Sequence, residues 1–113
     1  MESSCLFCKV VAGEIPSAKV AESEHCYAFR DIGPKAPTHV LVIPRQHVTS
    51  LNDLDNAAVA ADLLALAKLV AKQEGLADAG YRVVINTNKD GGQTVFHLHL
   101  HVMGGRAMKW PPG

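Results

Sequence analysis

The chain has 113 residues, of which 48% are apolar, and its formal net charge at pH 7 is zero. A chain of this length is expected to form a single domain over residues 1–113 with one hydrophobic core. The neutral charge argues against a general nucleic-acid or anionic-membrane surface, and no apolar stretch reaches the roughly 20 residues of a membrane-spanning helix.

The N-terminal segment carries a pair of cysteines whose chemistry depends on the compartment. Met1–Ser4 has no basic stretch followed by an apolar one, so we expect no secretory signal and a cytoplasmic protein. In that setting cysteines stay reduced or bind metal. Cys5 and Cys8 have a spacing that lets both sulfurs reach one metal ion. The alternative is that the two cysteines are small buried residues at one end of a short helix. That helix would span residues 5–12 and end at Gly13.

The first half of the chain predicts three short strands and a loop. Two prolines and a glycine disfavour regular structure between residues 33 and 37. The β-branched run that follows, closed by Pro44, is typical of a buried strand. The predicted strands are Lys19–Glu22, Cys26–Arg30 and His39–Ile43.

One long amphipathic helix is predicted over Asp55–Glu74. Its apolar residues recur at the spacing that places them on one helical face. Asp55 is the expected N-cap, and Gly75 is the expected residue just beyond the C-terminus. The apolar face consists of Val59, Leu63, Leu66 and Val70.

The last part of the chain predicts a strand, a tight turn and a second strand. Tyr81–Asn86 is the first strand, Asp90–Gly92 is the turn, and the histidine-rich segment follows it. Consecutive strands with short connections favour an α+β fold. We therefore expect a mostly antiparallel sheet packed by the long helix, together with a short N-terminal helix.

Three histidines occupy alternate positions in this last strand. Because side chains alternate between the two faces of a strand, His97, His99 and His101 are expected to share one face, about 6.5 Å apart. Imidazoles in a row can bind zinc, here through His97 and His99. One of them can instead attack phosphorus, because neutral imidazole is available at pH 7. Isolated core histidines are the third interpretation.

The segment from Asp90 to Gly113 resembles the histidine triad superfamily, whose signature alternates three histidines with apolar residues. Its tail, Gly104-Gly105-Arg106-Ala107-Met108-Lys109-Trp110-Pro111-Pro112-Gly113, is similar to the Hint branch of nucleotide-binding phosphoramidases. Two earlier stretches, Phe29–Ile32 and Ala36–Pro44, are also similar to that branch. The resemblance extends from Cys5 to Gly113 and implies the fold of that superfamily.

The resemblance implies a purine nucleoside phosphoramidase that releases AMP or GMP through a nucleotidyl-histidine. His99 matches the nucleophile, His101 contacts the phosphate, and His39 supports both. Thr94 matches the hydroxyl that passes a proton to the leaving amine. The family needs no metal for catalysis.

The same match implies a nucleotide site. Asp31 matches a carboxylate that accepts the ribose hydroxyls, and two apolar residues match the walls around the base. Polar residues and a glycine surround the phosphate. The implied nucleotide-binding residues are Phe29, Asp31, Ile32, Asn86, Gly92, Gln93, Thr94, His99 and His101.

Metal-containing members of the superfamily imply a structural zinc site. Its ligands here would be Cys5, Cys8, His47 and His97. Thiols without a metal are the alternative. The resemblance also implies a homodimer in which the C-terminal tail lies near the partner's active site.

Three other functions stay open. The first is hydrolysis of dinucleoside polyphosphates, the other main activity of the superfamily, against which the Trp110–Gly113 tail argues. The second is a nucleotide-binding or scaffolding module without catalysis. The third is a zinc enzyme that uses the three histidines as ligands.

Overall fold

The computed structural model describes residues 4–113 and has the predicted α+β architecture. The expectation about a secretory signal falls partly on residues 1–3, which lie outside this range. The helices are α1 (Leu6–Val11), α2 (Ala57–Gln73) and the single turn α3 (Asn88–Gly91), with a 3₁₀ turn at Leu51–Asp53. The strands are β1 (Lys19–Glu22), β2 (Cys26–Arg30), β3 (Thr38–Pro44), β4 (Tyr81–Val84) and β5 (Leu100–Gly104).

The five strands form one antiparallel sheet in the order β1-β2-β3-β5-β4. In the central pair, Leu41 is opposite His101 and His39 is opposite Met103. Residues two apart on a strand share a face. The register therefore places His39 and His101 side by side on one face of the sheet.

The two faces of the sheet have different coverings. Helix α2 packs its buried face, which includes Leu63 and Val70, against one side of the sheet together with Leu98, Leu100 and Val102. The other side holds a smaller cluster in which Phe7 of α1 packs with Phe29. Its remaining buried members are Val10, Leu41 and Ile43. The histidines lie on this second side, where the short helix α1 covers part of the sheet.

The N-cap of the long helix lies one residue later than the sequence predicted. Asn56, and not Asp55, is the N-cap, because its Oδ1 accepts hydrogen bonds from the backbone N–H groups of Ala58 and Val59. Asp and Asn are equally good N-caps, so the residue types alone could not show which of the two caps the helix. Gly75 has a φ of +74° just beyond the helix, as expected.

The histidine segment is a regular strand only from Leu100 onwards, and two neighbouring predictions also differ. The strand predicted to end at Asn86 ends at Val84, and the turn predicted at Asp90–Gly92 belongs mainly to α3. Before Leu100, the Leu98 backbone N–H donates to the Val48 carbonyl, outside the sheet. The alternation of faces nevertheless extends back to His97, since Leu98 belongs to the α2 core while His97 and His99 contact Phe7.

Over residues 4–113 the helices are all too short or too polar to cross a bilayer.

Candidate active site and metal centre

A cleft of about 960 Å³ opens on the side of the sheet that carries the histidines. Phe7 and Leu41 form part of its apolar floor, while the tail after β5 forms part of its wall. Eight of the sequence-predicted catalytic and nucleotide-binding residues line it: Phe29, Asp31, Ile32, His39, Asn86, Thr94, His99 and His101.

The hydrogen bond that His99 makes determines its tautomer. Its Nδ1 lies 2.8 Å from the backbone carbonyl oxygen of His97. A carbonyl oxygen only accepts, so Nδ1 must carry the proton and donate it. The lone pair of the neutral ring is then on Nε2. The edge of Phe7, with ring centroids 5.2 Å apart, packs against the buried ring and limits its rotation.

His39 and His101 form a directed hydrogen-bonded pair. The backbone N–H of Lys35 donates to His39 Nδ1 over 3.0 Å, so the neutral ring carries its proton on Nε2. That Nε2 lies 2.9 Å from His101 Nδ1 and donates to it. His101 therefore carries its own proton on Nε2. This buried Nε2 has no hydrogen-bond partner within residues 4–113, so it offers an N–H donor to a ligand.

Burial keeps this pair uncharged at neutral pH. Desolvation, followed by the neighbouring His99 and His39, lowers the pKa of His101 to about 4. Desolvation also lowers the pKa of His39, against the opposing pull of Asp31. Neutral rings are the state in which the tautomers above hold.

Asp31 lies beside the His39–His101 pair, and apolar residues flank it in the cleft. The Oδ1 atom of Asp31 accepts a hydrogen bond of 2.7 Å from the Gly33 N–H, and its Oδ2 lies 3.5 Å from His39 Nε2. Phe29 is buried beside Phe7, whereas Ile32 is fully exposed at the rim. A half-buried carboxylate between apolar side chains suits a ligand with both hydroxyls and a planar ring.

Asn86 and Thr94 reach the cleft from the segments on either side of α3. Asn86 is half-buried just after β4, and Thr94 is exposed just before the histidines. Both can therefore present a polar group to a bound molecule.

Gln93 and Gly92, which were predicted to contact the nucleotide, are not among the residues that line the cleft. The buried Gln93 side chain accepts from the Asn88 N–H and donates to the carbonyl oxygens of Thr49 and Val95. Its polar atoms are therefore committed to the backbone. Gly92 ends α3 with a φ of +81°, a conformation that favours glycine.

The four predicted zinc ligands lie together beside α1. The sulfur of Cys5 is 3.3 Å from His97 Nδ1, and the sulfur of Cys8 is 3.4 Å from His47 Nδ1 and 3.6 Å from His97 Nδ1. All four ligand atoms lie within 4.8 Å of one another. Sulfur and nitrogen ligands of a tetrahedral zinc ion lie about 3.6 Å apart at normal bond lengths, so these distances fit zinc.

The surroundings of His97 also fit a zinc ligand. Its Nε2 lies 2.9 Å from the Pro44 carbonyl oxygen and must donate to it, which leaves the lone pair on Nδ1, the atom that faces the sulfurs. Metal-binding histidines commonly hydrogen-bond in this way through their second nitrogen. Burial lowers the pKa of His97 to about 4, so its ring is neutral at pH 7. Within residues 4–113 the three cysteines form no disulfide.

The geometry argues against the three histidines as ligands of one zinc ion. The Nδ1 of His97 faces the cysteine sulfurs, whereas the Nδ1 of His99 donates to a carbonyl oxygen. In the part of the chain that the structure describes, no group of three or more close metal-ligating side chains contains both residues.

The C-terminal tail lies along the cleft of its own chain. Met108, Lys109, Pro111 and Pro112 line the cleft, while Trp110 points outward and is 81% exposed. The Arg82 guanidinium donates to the Lys109 carbonyl oxygen and lies 6.0 Å from the centre of the Trp110 ring.

Two contributors to the site were missed at the level of sequence. Phe7 packs edge-on against both His97 and His99, and its place between Cys5 and Cys8 was the available signal. The Lys35 backbone amide has no signal in the sequence, because any residue other than proline provides one.

Comparisons with known proteins agree on one family. A family model described as the HIT domain matches residues 12–108. The chain is 50% identical to a 14 kDa zinc-binding protein of Zea mays, in an alignment that covers 99% of this chain and 90% of the relative. It is 47% identical to the Adenylylsulfatase HINT1 of Arabidopsis thaliana, over 99% of this chain and 78% of the relative.

Solved structures give the same result. The crystal structure of a HIT family hydrolase from Legionella pneumophila Philadelphia 1 superposes with a TM-score of 0.93 at 51% identity, covering 97% of this chain and 100% of the other. A histidine triad nucleotide-binding protein from Candida albicans superposes with a TM-score of 0.85 at 35% identity, covering 96% and 83%.

Proposed function

Because this chain belongs to the HIT domain family, whose members include nucleotide-binding proteins and hydrolases, we propose that it is a purine nucleoside phosphoramidase. It would cleave the P–N bond of nucleoside 5′-monophosphate adducts and release AMP or GMP. The observation that carries the proposal is the arrangement of two imidazoles at the cleft. His99 has its lone pair on Nε2, and His101 has an unpartnered N–H donor beside it.

The first step forms a nucleotidyl-histidine. The lone pair of His99 Nε2 attacks the α-phosphorus, a P–N bond to the ring forms, and the bond to the leaving amine breaks. The donated hydrogen bond from His99 Nδ1 to the His97 carbonyl stabilises the positive charge that develops on the ring. The N–H of His101 Nε2 is the donor to a phosphate oxygen, and His39 positions it.

The leaving amine needs a proton, and the second step regenerates the enzyme. An amine departs readily only when it is protonated, so the Thr94 hydroxyl at the cleft is the proposed proton relay. Water then attacks the phosphorus of the intermediate and releases a proton to the solvent, while the bond to His99 breaks and its electron pair returns to Nε2. No metal takes part in either step.

The nucleotide would lie in the cleft with its phosphate at the histidines and its nucleoside beside them. Phe29 and Ile32 would contact the base, the Asp31 carboxylate would accept the ribose hydroxyls, and Asn86 would contact the phosphate. Gln93 and Gly92 would act indirectly, by holding the segment that carries Thr94.

The remaining parts of the proposal concern the whole chain. Residues 1–113 are proposed to be one domain that acts as a homodimer in the cytoplasm. Zinc on Cys5, Cys8, His47 and His97 would tie α1 to the segment before β5. Bound there, zinc supplies stability only. Reduced cysteines are needed for it, which agrees with a cytoplasmic location.

A second candidate substrate comes from the Arabidopsis relative named an adenylylsulfatase. Adenylyl sulfate would undergo the same attack by His99. Its leaving group, sulfate, is a weak base and departs without protonation, so Thr94 would be dispensable for it.

A panel of substrates tests the proposal. Adenosine 5′-phosphoramidate, a diadenosine polyphosphate and adenylyl sulfate are compared by kcat/KM at one pH. We expect the phosphoramidate to have the highest value. A strong preference for either of the others would overturn the proposed substrate class and leave the nucleotidyl-histidine step intact.

The variant Thr94→Val separates the leaving groups. It keeps the β-branched shape and removes the hydroxyl. We expect kcat for the phosphoramidate to fall by about 10²-fold, the scale of one general-acid contribution, while kcat for adenylyl sulfate stays near the wild-type value. An equal loss on both substrates would contradict the proton relay.

A further inference from the structure

The loop over residues 33–37 contacts the active-site histidines through its backbone. The Lys35 N–H donates to His39 Nδ1 over 3.0 Å, while the Lys35 ammonium turns away and donates to the Gly33 carbonyl oxygen. The side chain of Lys35 is exposed, whereas the ring of His39 is 5% exposed. The buried contact therefore depends on the amide at position 35.

This amide selects one of two possible proton arrangements in the His39–His101 pair. If His39 carried its proton on Nδ1, two N–H groups would face each other across the 3.0 Å separation from Lys35. The Asp31 carboxylate, 3.5 Å from His39 Nε2, favours the same choice, because it attracts the proton to Nε2. Only this arrangement leaves a proton on His101 Nε2.

A second contact holds the loop in place from the C-terminal segment. Arg106 donates from Nη2 to the Lys35 carbonyl oxygen over 2.9 Å. Gly105, with a φ of +91°, lets the chain approach the loop so closely that a Cβ there would lie 2.8 Å from Pro37 Cβ. The two peptide groups that flank the Lys35 Cα are thus both held, the N–H of one by His39 and the carbonyl of the other by Arg106.

The same proton choice affects metal binding. Asp31, His39 and His101 present a carboxylate and two imidazole nitrogens within 4.8 Å of one another. Two histidines and one carboxylate form a common site for divalent transition metals. A nitrogen that carries a proton has no lone pair for a metal, so the Nε2–H tautomer of His39 weakens metal binding at this site.

We propose that the Lys35 backbone amide, braced by Arg106, fixes the tautomer of His39, and that this both keeps the unpartnered proton of His101 on Nε2 and disfavours divalent metal ions at Asp31, His39 and His101. The catalytic consequence rests on the proposed function. The tautomers and the weakened metal binding do not, because both are measured without substrate.

The first test is the ring ¹⁵N spectrum of histidine-labelled, zinc-loaded protein at pH 7.5. We expect His39 and His101 to be Nε2-protonated. Lys35→Pro removes the amide proton and should change the His39 tautomer ratio by about tenfold or more, the effect of one buried hydrogen bond. Lys35→Ala keeps the amide and should keep the wild-type tautomers. A wild-type His39 protonated on Nδ1 overturns the proposal even if Lys35→Pro does not fold.

The second test measures Co²⁺ binding to the same zinc-loaded proteins by titration and by the visible spectrum. We expect Co²⁺ to bind the histidine pair about tenfold or more weakly in wild type and Lys35→Ala than in Lys35→Pro, in line with the tautomer ratio. Equal Co²⁺ affinities of the wild type and Lys35→Pro at this pair, each lost in Asp31→Asn, would contradict this part of the proposal.

Two variants at Arg106 test the brace. Arg106→Leu removes the donor to the Lys35 carbonyl and should shift the His39 tautomer ratio towards that of Lys35→Pro. Arg106→Lys keeps a donor and should restore most of the wild-type ratio. Wild-type tautomers in Arg106→Leu would show that the amide acts without the brace and would overturn that part of the proposal.

Discussion

At the scale of single residues, the chemistry of the site follows from which ring nitrogen carries a proton. The three histidines of β5 and the preceding segment differ in their partners: cysteine sulfurs for His97, a carbonyl oxygen for His99 and another imidazole for His101. The sequence predicted that they share one face. It could not predict their tautomers, because those depend on the carbonyl oxygens of His97 and Pro44 and on the amide of Lys35.

The buried His101 predicts a particular pH dependence of stability. Its pKa is lowered to about 4 in the folded protein, whereas an exposed histidine titrates near 6.5. As the pH falls from about 6.5 to 4, His101 gains a proton in the unfolded chain but stays neutral in the folded protein. The free energy of unfolding therefore decreases. Above about pH 6.5 this contribution is constant.

Chemical denaturation of wild type and His101→Gln between pH 4 and 8 measures this effect. The wild type should lose up to about 1.4 kcal/mol more per pH unit than the variant in that window. The comparison cancels the titration of the other histidines. Parallel curves for the two proteins would contradict the buried, neutral state of His101.

At the scale of elements, the helices and strands were predicted well. Both ends of β1 and β2 are as predicted, whereas both ends of α2 and the C-terminal end of β4 are not. The apolar stripe of α2 and the β-branched run of β3 required little beyond local pattern. Asn86 was predicted to extend β4, but the pairing with β5 ends at Val84. Such boundaries depend on hydrogen bonds to distant segments, as between Leu98 and Val48.

The N-cap of α2 provides a matched pair of variants. Asn56→Ala removes the side chain that accepts from two backbone N–H groups and should lower the free energy of unfolding by about 1 kcal/mol. Asp55→Ala, at the position that the sequence favoured, should change it by less than about 0.5 kcal/mol. Urea denaturation of the two variants measures both free energies of unfolding. A larger loss for Asp55→Ala than for Asn56→Ala would contradict the assignment of Asn56 as the N-cap.

At the scale of the whole molecule, the proposed zinc site connects parts of the chain that are far apart in sequence. Cys5 and Cys8 lie at the start of α1, His47 follows β3, and His97 precedes β5. The resemblance supplied this ligand set, and the structure brings all four side chains together. A metal there would hold the N-terminal helix against the segment that carries the proposed nucleophile.

Removing zinc should therefore lower thermal stability. At a free zinc concentration a hundredfold above Kd, binding adds about 2.7 kcal/mol, or roughly 10 °C in Tm for a domain of this size. The measurement is Tm with added zinc and with a chelator, in wild type and in Cys8→Ser. The variant should show little zinc dependence. Equal Tm values for the wild type under both conditions would show that zinc does not stabilise the fold through these four residues.

Rapid quenching tests most directly whether His99 forms a covalent bond to the nucleotide. Wild-type enzyme is mixed with adenosine 5′-phosphoramidate, quenched in base within milliseconds and analysed by mass spectrometry of its peptides. We predict one adenylyl group on the peptide that contains His99, and none in His99→Ala, which should also lose hydrolysis. An adduct on another residue, or undiminished hydrolysis by His99→Ala, would contradict the account.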